Sequence, residues 1–243
     1  MAEVAVLKLG GSVLTDLAAY RTAARFLKDE VVRTREHIVA VVSAEEGHTD
    51  RLRFEASAVA IDPDQDALDL LWSTGELRSV ALLTLALRAE GVSAAGFNVH
   101  ETGLRVSSTP GRRPDASDLT LNPLSLRAAL GWSEVVVVPG FLATHRQQVV
   151  TLGRGGSDWS AVALATALGA VRCELIKDVP GYFTADPRAV SDAALIDHIS
   201  YTDALAMADD GCPLVQRQAI DHAQRAHLPL VVRNFDSAGT RVA

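Results

Sequence analysis

A strand, a glycine-containing turn and a helix follow one another several times along this chain, and this order constrains the fold most. Short apolar, β-branched runs at 3–9, 37–43 and 134–138 predict buried parallel strands, and helical spacing of apolar residues predicts helices at 17–35 and 157–168. Such alternation predicts an α/β fold with a mainly parallel sheet. Ligands of open α/β sheets bind at the carboxyl ends of the strands, so the turns that follow the strands are the candidate sites.

Three local details of this pattern are also predicted. Residues 66–90 have helical spacing, and the triplet at 73–75 is expected to break them into two helices. The helix that starts near residue 157 is expected to use Ser157 or Asp158 as its N-cap, because these side chains accept hydrogen bonds from first-turn N–H groups. Residues 110–118 are predicted to be a loop, since proline, glycine and charged residues dominate them.

Composition excludes several classes of protein. The chain of 243 residues has 23 basic and 30 acidic residues, which give a formal net charge of −7, whereas nucleic-acid binders usually carry a basic surplus. The first 20 residues do not have a signal-peptide pattern, and no apolar run reaches the 18 residues of a membrane span. The two cysteines have neither metal-ligand nor disulfide spacing. We therefore expect a cytoplasmic protein of one domain, without nucleic acid or membrane as a partner.

The first candidate turn, residues 8–12, has the sequence KLGGS. Its two glycines let backbone N–H groups approach an anion closely, and Lys8 adds a positive charge. It is not a Walker A P-loop, because the pattern GxxxxGK[ST] is absent. Taken alone, it is more typical of a tight turn with a surface lysine, and this interpretation stays open.

The second candidate turn, residues 152–158, has the sequence LGRGGSD and precedes an apolar helix. Arg154 is suited to bind a carboxylate or phosphate through two hydrogen bonds. Asp158 lies in the first helical turn, where it either caps the helix or holds a lysine or a substrate ammonium group. A capped helix after a flexible loop is the alternative interpretation.

The third candidate turn, residues 176–188, has the sequence IKDVPGYFTADPR. A nucleotide base is expected to stack on Tyr182, with phosphates near Lys177 or Arg188. A turn-rich surface loop would explain the same residues.

Together, the three turns resemble motifs of the aspartokinase branch of the amino acid kinase superfamily. The motifs occur in the family's order and extend over nearly the whole chain. The resemblance implies an amino acid kinase fold, a three-layer αβα sandwich around a mainly parallel sheet. It also implies one domain over 1–243, with 1–150 mainly an amino-acid-binding lobe and 151–243 mainly a nucleotide-binding lobe. The segments that carry the resemblance are 8–12 (K-F-G-G-[ST]), 41–50 (V-V-S-A…T-D), 73–76 (S-x-G-E), 151–158 (T-L-G-R-G-G-S-D), 177–188 ([TK]-D-V-x-G-x-x-T-x-D-P-R) and 199–217 (I-S-Y…G-A-x-V-x-H-P).

The resemblance implies an ATP-dependent enzyme that phosphorylates the side-chain carboxylate of aspartate or of a close amino-acid analogue. Phosphoryl transfer asks the protein mainly for positioning and charge neutralisation. Lys8 would stabilise the transferring group, and Asp158 would orient Lys8. The amino acid would be bound by Arg154 at its α-carboxylate, by Glu76 at its α-ammonium group, and by Ser43 and Thr49 through hydrogen bonds. The nucleotide would be bound by Gly10, Gly11, Ser12, Lys177, Asp178, Tyr182 and Arg188.

The resemblance also implies the partners of such an enzyme. ATP would bring Mg²⁺, held mainly by phosphate oxygens and water rather than by a metal site of the protein. A homodimer would be the working form. Aspartokinase catalytic regions lead into ligand-sensing ACT domains, whereas this sequence ends at Ala243, so we expect no ACT-type feedback regulation.

Other departures from the family pattern keep two alternatives open. Pro213 stands where the family often has a nucleotide-binding lysine, and Gln216 and Arg217 replace the usual His-Pro. Glu45 and Glu46 add negative charge near the proposed acidic substrate. The first alternative is a kinase for a different small acceptor, such as another amino acid, carbamate or phosphate. The second is a catalytically impaired binding or scaffold protein.

Overall fold

A mainly parallel eight-stranded sheet organises the computed structural model of this chain, which describes residues 2–107, 118–153, 155–212 and 214–243. The order of its strands is β10-β12-β11-β9-β1-β2-β6-β3, and β12 and β10 run opposite to the others. A smaller sheet has the order β5-β4-β7-β8. The strands are β1 (Val4–Leu9), β2 (His37–Val42), β3 (Ala94–Gly96), β4 (Leu104–Val106), β5 (Leu119–Leu121), β6 (Val135–Pro139), β7 (Leu142–His145), β8 (Gln148–Thr151), β9 (Arg172–Ile176), β10 (His198–Ile199), β11 (Leu230–Arg233) and β12 (Thr240–Val242).

Helices cover both faces of the large sheet, which gives the expected three layers. The central strands are mostly apolar and buried along their length, and their successive side chains point to opposite faces of the sheet. Leu7 and its face pack on α1 and α3, and Val6 and its face pack on α5. The helices are α1 (Leu17–Thr34), α2 (His48–Val59), α3 (Gln65–Ala89), α4 (Leu124–Ala129), α5 (Gly156–Leu168), α6 (Tyr201–Asp209) and α7 (Arg217–Arg225), with short 3₁₀ helices at Gly11–Val13 and Val99–Thr102.

The direction of chain progression changes at β1, in the middle of the large sheet. The chain moves from β1 to β2 on one side, and β9 is added later on the other side. In open α/β sheets such a switch point leaves a crevice at the carboxyl ends of the strands. The candidate turns at 8–12 and 176–188 follow β1 and β9, which are neighbours, so both lie at this crevice.

Helix α3 runs unbroken from Gln65 to Ala89, so the predicted break at 73–75 is wrong. The Ser73 and Thr74 hydroxyls donate to the carbonyl oxygens of Leu70 and Leu71, both at 2.7 Å, and these bonds leave the helix intact. By length and composition alone α3 is apolar enough to cross a membrane. In the structure it packs against α1, α2 and strands of both sheets.

One further prediction about local structure is wrong, and one helix was not predicted. Helix α5 begins at Gly156 with Gly155 as its N-cap, and no side chain caps it, so the proposed caps Ser157 and Asp158 are wrong. Helix α2, which follows β2, was not predicted, because His48 to Val59 lacks a clear apolar stripe. The predicted loop at 110–118 lies, except for its last residue, outside the described residues.

Candidate active site at the carboxyl edge of the sheet

Two lysines from neighbouring strands meet one aspartate at the switch point. The Lys8 Nζ lies 2.8 Å from Asp158 Oδ1, and the Lys177 Nζ donates to Asp158 Oδ2 at 2.8 Å. Lys8 shares a strand face with Val6, and Lys177 continues the face of Cys173 and Leu175, so both side chains point toward α5. Asp158 reaches them from the first turn of α5. The chain has only three lysines in all, and two of them converge here.

This lysine–aspartate cluster is buried and carries an unbalanced positive charge. The side chains of Lys8, Asp158 and Lys177 are 7%, 4% and 13% exposed. Burial lowers the pKa of Lys8 to about 8, although the Asp158 carboxylate partly offsets that effect. Burial alone would raise the pKa of Asp158, but Lys177 and Lys8 outweigh burial and hold that pKa at about 2. Near neutral pH, two ammonium groups therefore share one carboxylate, and one positive charge is left for an anion.

The glycine turn after β1 lies beside this cluster. A Cβ on Gly10 would come 3.3 Å from Lys8 Nζ, and a Cβ on Gly11 would come 2.8 Å from the Ala44 carbonyl oxygen. The Gly10 N–H donates to the Ile176 carbonyl at 3.2 Å, so this amide has a partner within the protein, and phosphate binding by Gly10 stays a prediction. Gly11 and Ser12 begin a 3₁₀ helix, where N–H groups have no acceptor inside the helix. These two amides are the ones suited to an anion.

The second turn approaches the cluster through the start of α5. Gly153 and Gly155 have φ of 78° and 74°, the left-handed region that favours glycine. A Cβ on Gly155 would overlap Gln216, at 1.7 Å from its Cγ. Gln216, which together with Arg217 replaces the His-Pro of the family motif, therefore packs directly on this turn. Arg154, the proposed carboxylate ligand, lies outside the described residues.

Glu76 of α3 supplies a buried carboxyl group on the other side of the crevice. Glu76 is 3% exposed, and its Oε1 accepts a hydrogen bond from the Ala44 N–H at 3.3 Å. Its Oε2 is buried without a hydrogen-bond partner among the described residues. Burial raises the pKa of Glu76 to about 7, against the opposing hydrogen bonds from the backbone N–H groups of Glu76 and Ala44. A buried acceptor without a partner is suited to an ammonium group.

The β2–α2 loop places the remaining amino-acid candidates. Ser43 is half-buried directly after β2, and Thr49 is exposed in the first turn of α2. Glu45, one of the two additional acidic residues, forms an ion pair with Arg78 of α3. Its charge is therefore compensated within the protein, whereas Glu46 is exposed. The ion pair therefore compensates one of the two additional negative charges.

A hydrogen bond joins the third turn to the first, but Tyr182, the aromatic candidate of the third turn, is buried. The Ser12 hydroxyl donates to Asp178 Oδ1 at 2.9 Å, which joins the turns after β1 and β9. Tyr182 is 2% exposed and packs in the core, so its side chain is covered in this structure, and base stacking on it stays a prediction. Its neighbour Phe183 is half-buried and was overlooked. Arg188 is exposed and bonds to Asp186, away from the buried cluster. Pro213 lies outside the described residues.

Known proteins resemble this chain over most of its length. The model of the "Amino acid kinase family" matches residues 3–234. An aspartokinase of Thermus thermophilus is 40% identical over 231 residues, which cover 94% of this chain and 56% of the relative. The chain thus spans about half the length of the curated relatives it matches.

Two solved structures extend the comparison to the fold. Aspartate kinase from Synechocystis has a TM-score of 0.86 and 34% identity, covering 100% of this chain and 40% of that one. E. coli aspartokinase III, in complex with aspartate and ADP in its R-state, has a TM-score of 0.85 and 30% identity, covering 99% and 64%.

Proposed function

The chain belongs to the amino acid kinase family, and from that premise we propose that it transfers the γ-phosphoryl group of ATP to the side-chain carboxylate of aspartate or of a close analogue. The observation that carries the proposal is the buried cluster of Lys8, Asp158 and Lys177 beside a glycine turn. Its excess positive charge suits a polyphosphate, because electrostatic stabilisation is worth more where water is excluded. The aspartate and ADP bound to the similar E. coli enzyme support the choice of substrates.

The phosphoryl groups would be bound by the two lysines and the first turn. Lys8 and Lys177 neutralise charge on the transferring group and on the leaving phosphates, and Asp158 orients both ammonium groups. The Gly11 and Ser12 amides donate to phosphate oxygens. Gly10 keeps its amide for the Ile176 carbonyl and contributes only space next to Lys8.

The amino acid would bind between α3 and the second turn. Glu76 receives the α-ammonium group at its unpartnered oxygen, and Arg154 binds the α-carboxylate. Ser43 and Thr49 add hydrogen bonds from the β2–α2 loop. This arrangement places the amino acid mainly against 1–150 and the nucleotide mainly against 151–243, within one domain.

The nucleotide would extend along the third turn. Asp178, held by Ser12, lies at the phosphate end, and Arg188 is the exposed cation farther along the loop. Tyr182 supports this loop from the core, and the half-buried Phe183 is the aromatic side chain better placed to meet a base. Mg²⁺ would bind chiefly through phosphate oxygens and water.

A cytoplasmic homodimer would be the working form. Large apolar side chains are exposed on α2, on the loop after it and at the beginning of α3: Phe54, Val59, Ile61 and Leu70. Exposed large apolar side chains concentrated in one segment of the chain favour an interface between subunits. Sedimentation velocity tests the dimer, and a monomer at micromolar concentration would refute it.

An acyl-phosphate assay tests the proposed function. ATP, Mg²⁺ and each acceptor are incubated with hydroxylamine, which converts an acyl phosphate to a coloured hydroxamate, while ADP release is measured in parallel. We expect hydroxamate with aspartate from the wild type and from Lys28→Ala, and none from Lys8→Ala. Lys28 of α1 is the matched control, because it is the third lysine and bonds to Glu90 at the end of α3. ADP release only with other acceptors would replace aspartate, and no nucleotide turnover with any acceptor would favour the binding protein.

A further inference from the structure

The buried face of α3 changes character along the helix. In the first half this face has the polar residues Asp69, Ser73, Glu76 and Ser79, whereas Leu83 and Leu87 continue it in the second half. Asp69 and Glu76 are seven residues apart, so they lie on the same face, separated by about 10 Å along the helix axis. The polar half faces the carboxyl edge of the sheet, where Glu76 contributes to the candidate site.

Asp69 connects α3 to the strand that precedes the second turn. Its Oδ1 accepts the Thr151 hydroxyl at 2.8 Å and the Gln65 side-chain amide at 2.8 Å, and the residue is 4% exposed. Thr151 is the last residue of β8, and the glycine-rich turn begins directly after it. The contact therefore joins two segments 82 positions apart in the chain.

A buried carboxyl group at this position is costly for packing alone. The two hydrogen bonds of Asp69 offset the cost of burying a carboxyl group, and an alanine or leucine on the same helix face would avoid that cost altogether. The turn after Thr151 also needs an anchor, because Gly153 and Gly155 both have left-handed φ and glycine restricts the backbone least. On its downstream side the turn is joined to α5, where the Gly156 N–H donates to the Gly153 carbonyl at 2.9 Å. On its upstream side the Asp69–Thr151 bond is the link to α3.

We propose that Asp69 is a positioning residue that fixes the second turn relative to Glu76. A single helix then carries both the ligand for the α-ammonium group and the anchor of the turn that bears Arg154. The helix thereby sets the spacing between the two ends of the amino-acid site. This inference rests on the proposed function for its kinetic consequence, but the contact itself is a property of the ligand-free protein.

Three variants test the contact. Thr151→Val removes the hydroxyl and keeps the shape, and Thr151→Ser restores a hydroxyl. Thr166→Val is the matched control, because the Thr166 hydroxyl donates to the Val162 carbonyl of its own helix. We expect the KM for aspartate to rise about tenfold in Thr151→Val, as for loss of a hydrogen bond to a charged group, with kcat and the KM for ATP within about twofold. Thr151→Ser should restore most of that affinity, and Thr166→Val should not change the KM. An unchanged KM for aspartate in Thr151→Val, or a fall in kcat alone, overturns the inference.

A second measurement separates this inference from the proposed function. Amide hydrogen exchange of the peptide spanning 151–158 is compared in the ligand-free variants. Faster exchange in Thr151→Val, with wild-type exchange in Thr151→Ser, supports the anchor even if the wild type phosphorylates no acceptor, and equal exchange overturns it. Should Thr151→Val fail to fold, Asp69→Asn replaces it. That variant keeps the shape and loses the charge, so a smaller change in the same direction supports the anchor, and no change overturns it.

Discussion

Strand β9 has an ion network on each of its two faces, and the two differ in charge balance. On the α5 face, Lys8 and Lys177 share the single carboxylate of Asp158. On the α1 face, three arginines and three glutamates are joined by six ion pairs. The members of this arginine–glutamate network are Glu30, Arg33, Glu36, Arg172, Glu174 and Arg233.

The arginine–glutamate network satisfies its own charges. Arg172 donates to Glu30 at 2.8 Å, to Glu36 at 2.7 Å and also to Glu174, and Arg233 donates to Glu174 at 2.6 Å and to Glu30 at 3.2 Å. Burial alone would raise the pKa of Glu30, but the neighbouring arginines, above all Arg172, lower it. A planar guanidinium group is suited to such multiple fixed bonds, whereas a lysine ammonium group is a compact point charge.

The difference in balance separates a structural network from a binding site. A network whose positive and negative groups match does not need a ligand. The lysine–aspartate cluster has one more positive group than negative groups. Because the cluster is buried, water solvates this excess charge poorly. The same strand therefore lies beside a charge-balanced network on one face and beside the proposed anion-binding cluster on the other.

The largest expected effect is on catalysis. Lys8→Met removes a buried positive charge from the proposed phosphate site, so we expect kcat/KM to fall by about a thousandfold. Lys177 remains paired with Asp158, so the variant should unfold at a urea concentration close to that of the wild type. Steady-state kinetics and urea unfolding measure the two quantities. Large destabilisation with a small kinetic loss would place Lys8 with the structural network instead.

The second effect is on stability. Glu174→Gln removes one carboxylate partner from each of Arg172 and Arg233, which both keep Glu30, and we expect the free energy of unfolding to fall by about 2 kcal/mol. This figure is below that of a fully buried pair, because the arginines are partly exposed to water. The kcat/KM of the folded variant should stay within about twofold of wild type. Glu90→Gln, which breaks exposed pairs, is the control and should change stability by less than about 0.5 kcal/mol.

The third effect concerns Glu76 and depends on pH. We expect Glu76→Gln to raise the KM for aspartate about tenfold at pH 8, where the wild-type side chain is a carboxylate. In the wild type this KM should fall as the pH rises from 6 to 8, and in the variant it should not. Glu45→Gln is the control, because that carboxylate pairs with Arg78. A flat wild-type profile would contradict the assignment.

Ionisation of Glu76 is expected to lower the stability of the protein, whereas it strengthens the binding of aspartate. The pKa of Glu76 in the folded protein is about 7, above its ordinary value of 4.5, so the unfolded chain releases the proton at lower pH than the folded chain does. The contribution of Glu76 to stability is therefore full below pH 4.5 and is lost as the pH rises toward about 7. Urea unfolding between pH 5 and 8 should show that Glu76→Gln loses this dependence.

The smallest effect is a proton uptake. Because the pKa of Lys8 is about 8, about half of this side chain is neutral at pH 8, and a bound polyphosphate would stabilise its charged form. Nucleotide binding at pH 8 should therefore take up a fraction of a proton. Calorimetry in buffers of different ionisation enthalpy measures this fraction, which should disappear in Lys8→Met and persist in Glu174→Gln.

Local sequence patterns predicted the parts of the fold that local physics decides. The strand at 37–43 and the helix at 17–35 were confirmed as β2 and α1, because apolar periodicity there directly reflects burial. The break expected at 73–75 did not occur, because Gly75 gives room to Ala44 and His48 rather than ending the helix: a Cβ there would come 3.0 Å and 2.9 Å from them.

The candidate site was only partly predictable, because its contacts are distant in sequence. The family motifs indicated Lys8, Glu76 and Asp158, but no local pattern shows that Asp158 holds two lysines rather than capping its helix. Burial of Tyr182 depends on packing by the far end of the chain, where Thr240 bonds to its amide at 2.8 Å. The role of Asp69 depends on a partner 82 residues away. Its spacing of seven from Glu76 was the available signal, since it placed both residues on one helix face.

Calorimetric titration with Mg²⁺ and a non-hydrolysable ATP analogue tests most directly whether the unbalanced cluster is the phosphate site. We expect the analogue to bind the wild type and Glu174→Gln with similar affinity, and Lys8→Met at least about tenfold more weakly. Equal affinity in Lys8→Met and the wild type, or a loss of affinity in Glu174→Gln as large as in Lys8→Met, would contradict the account.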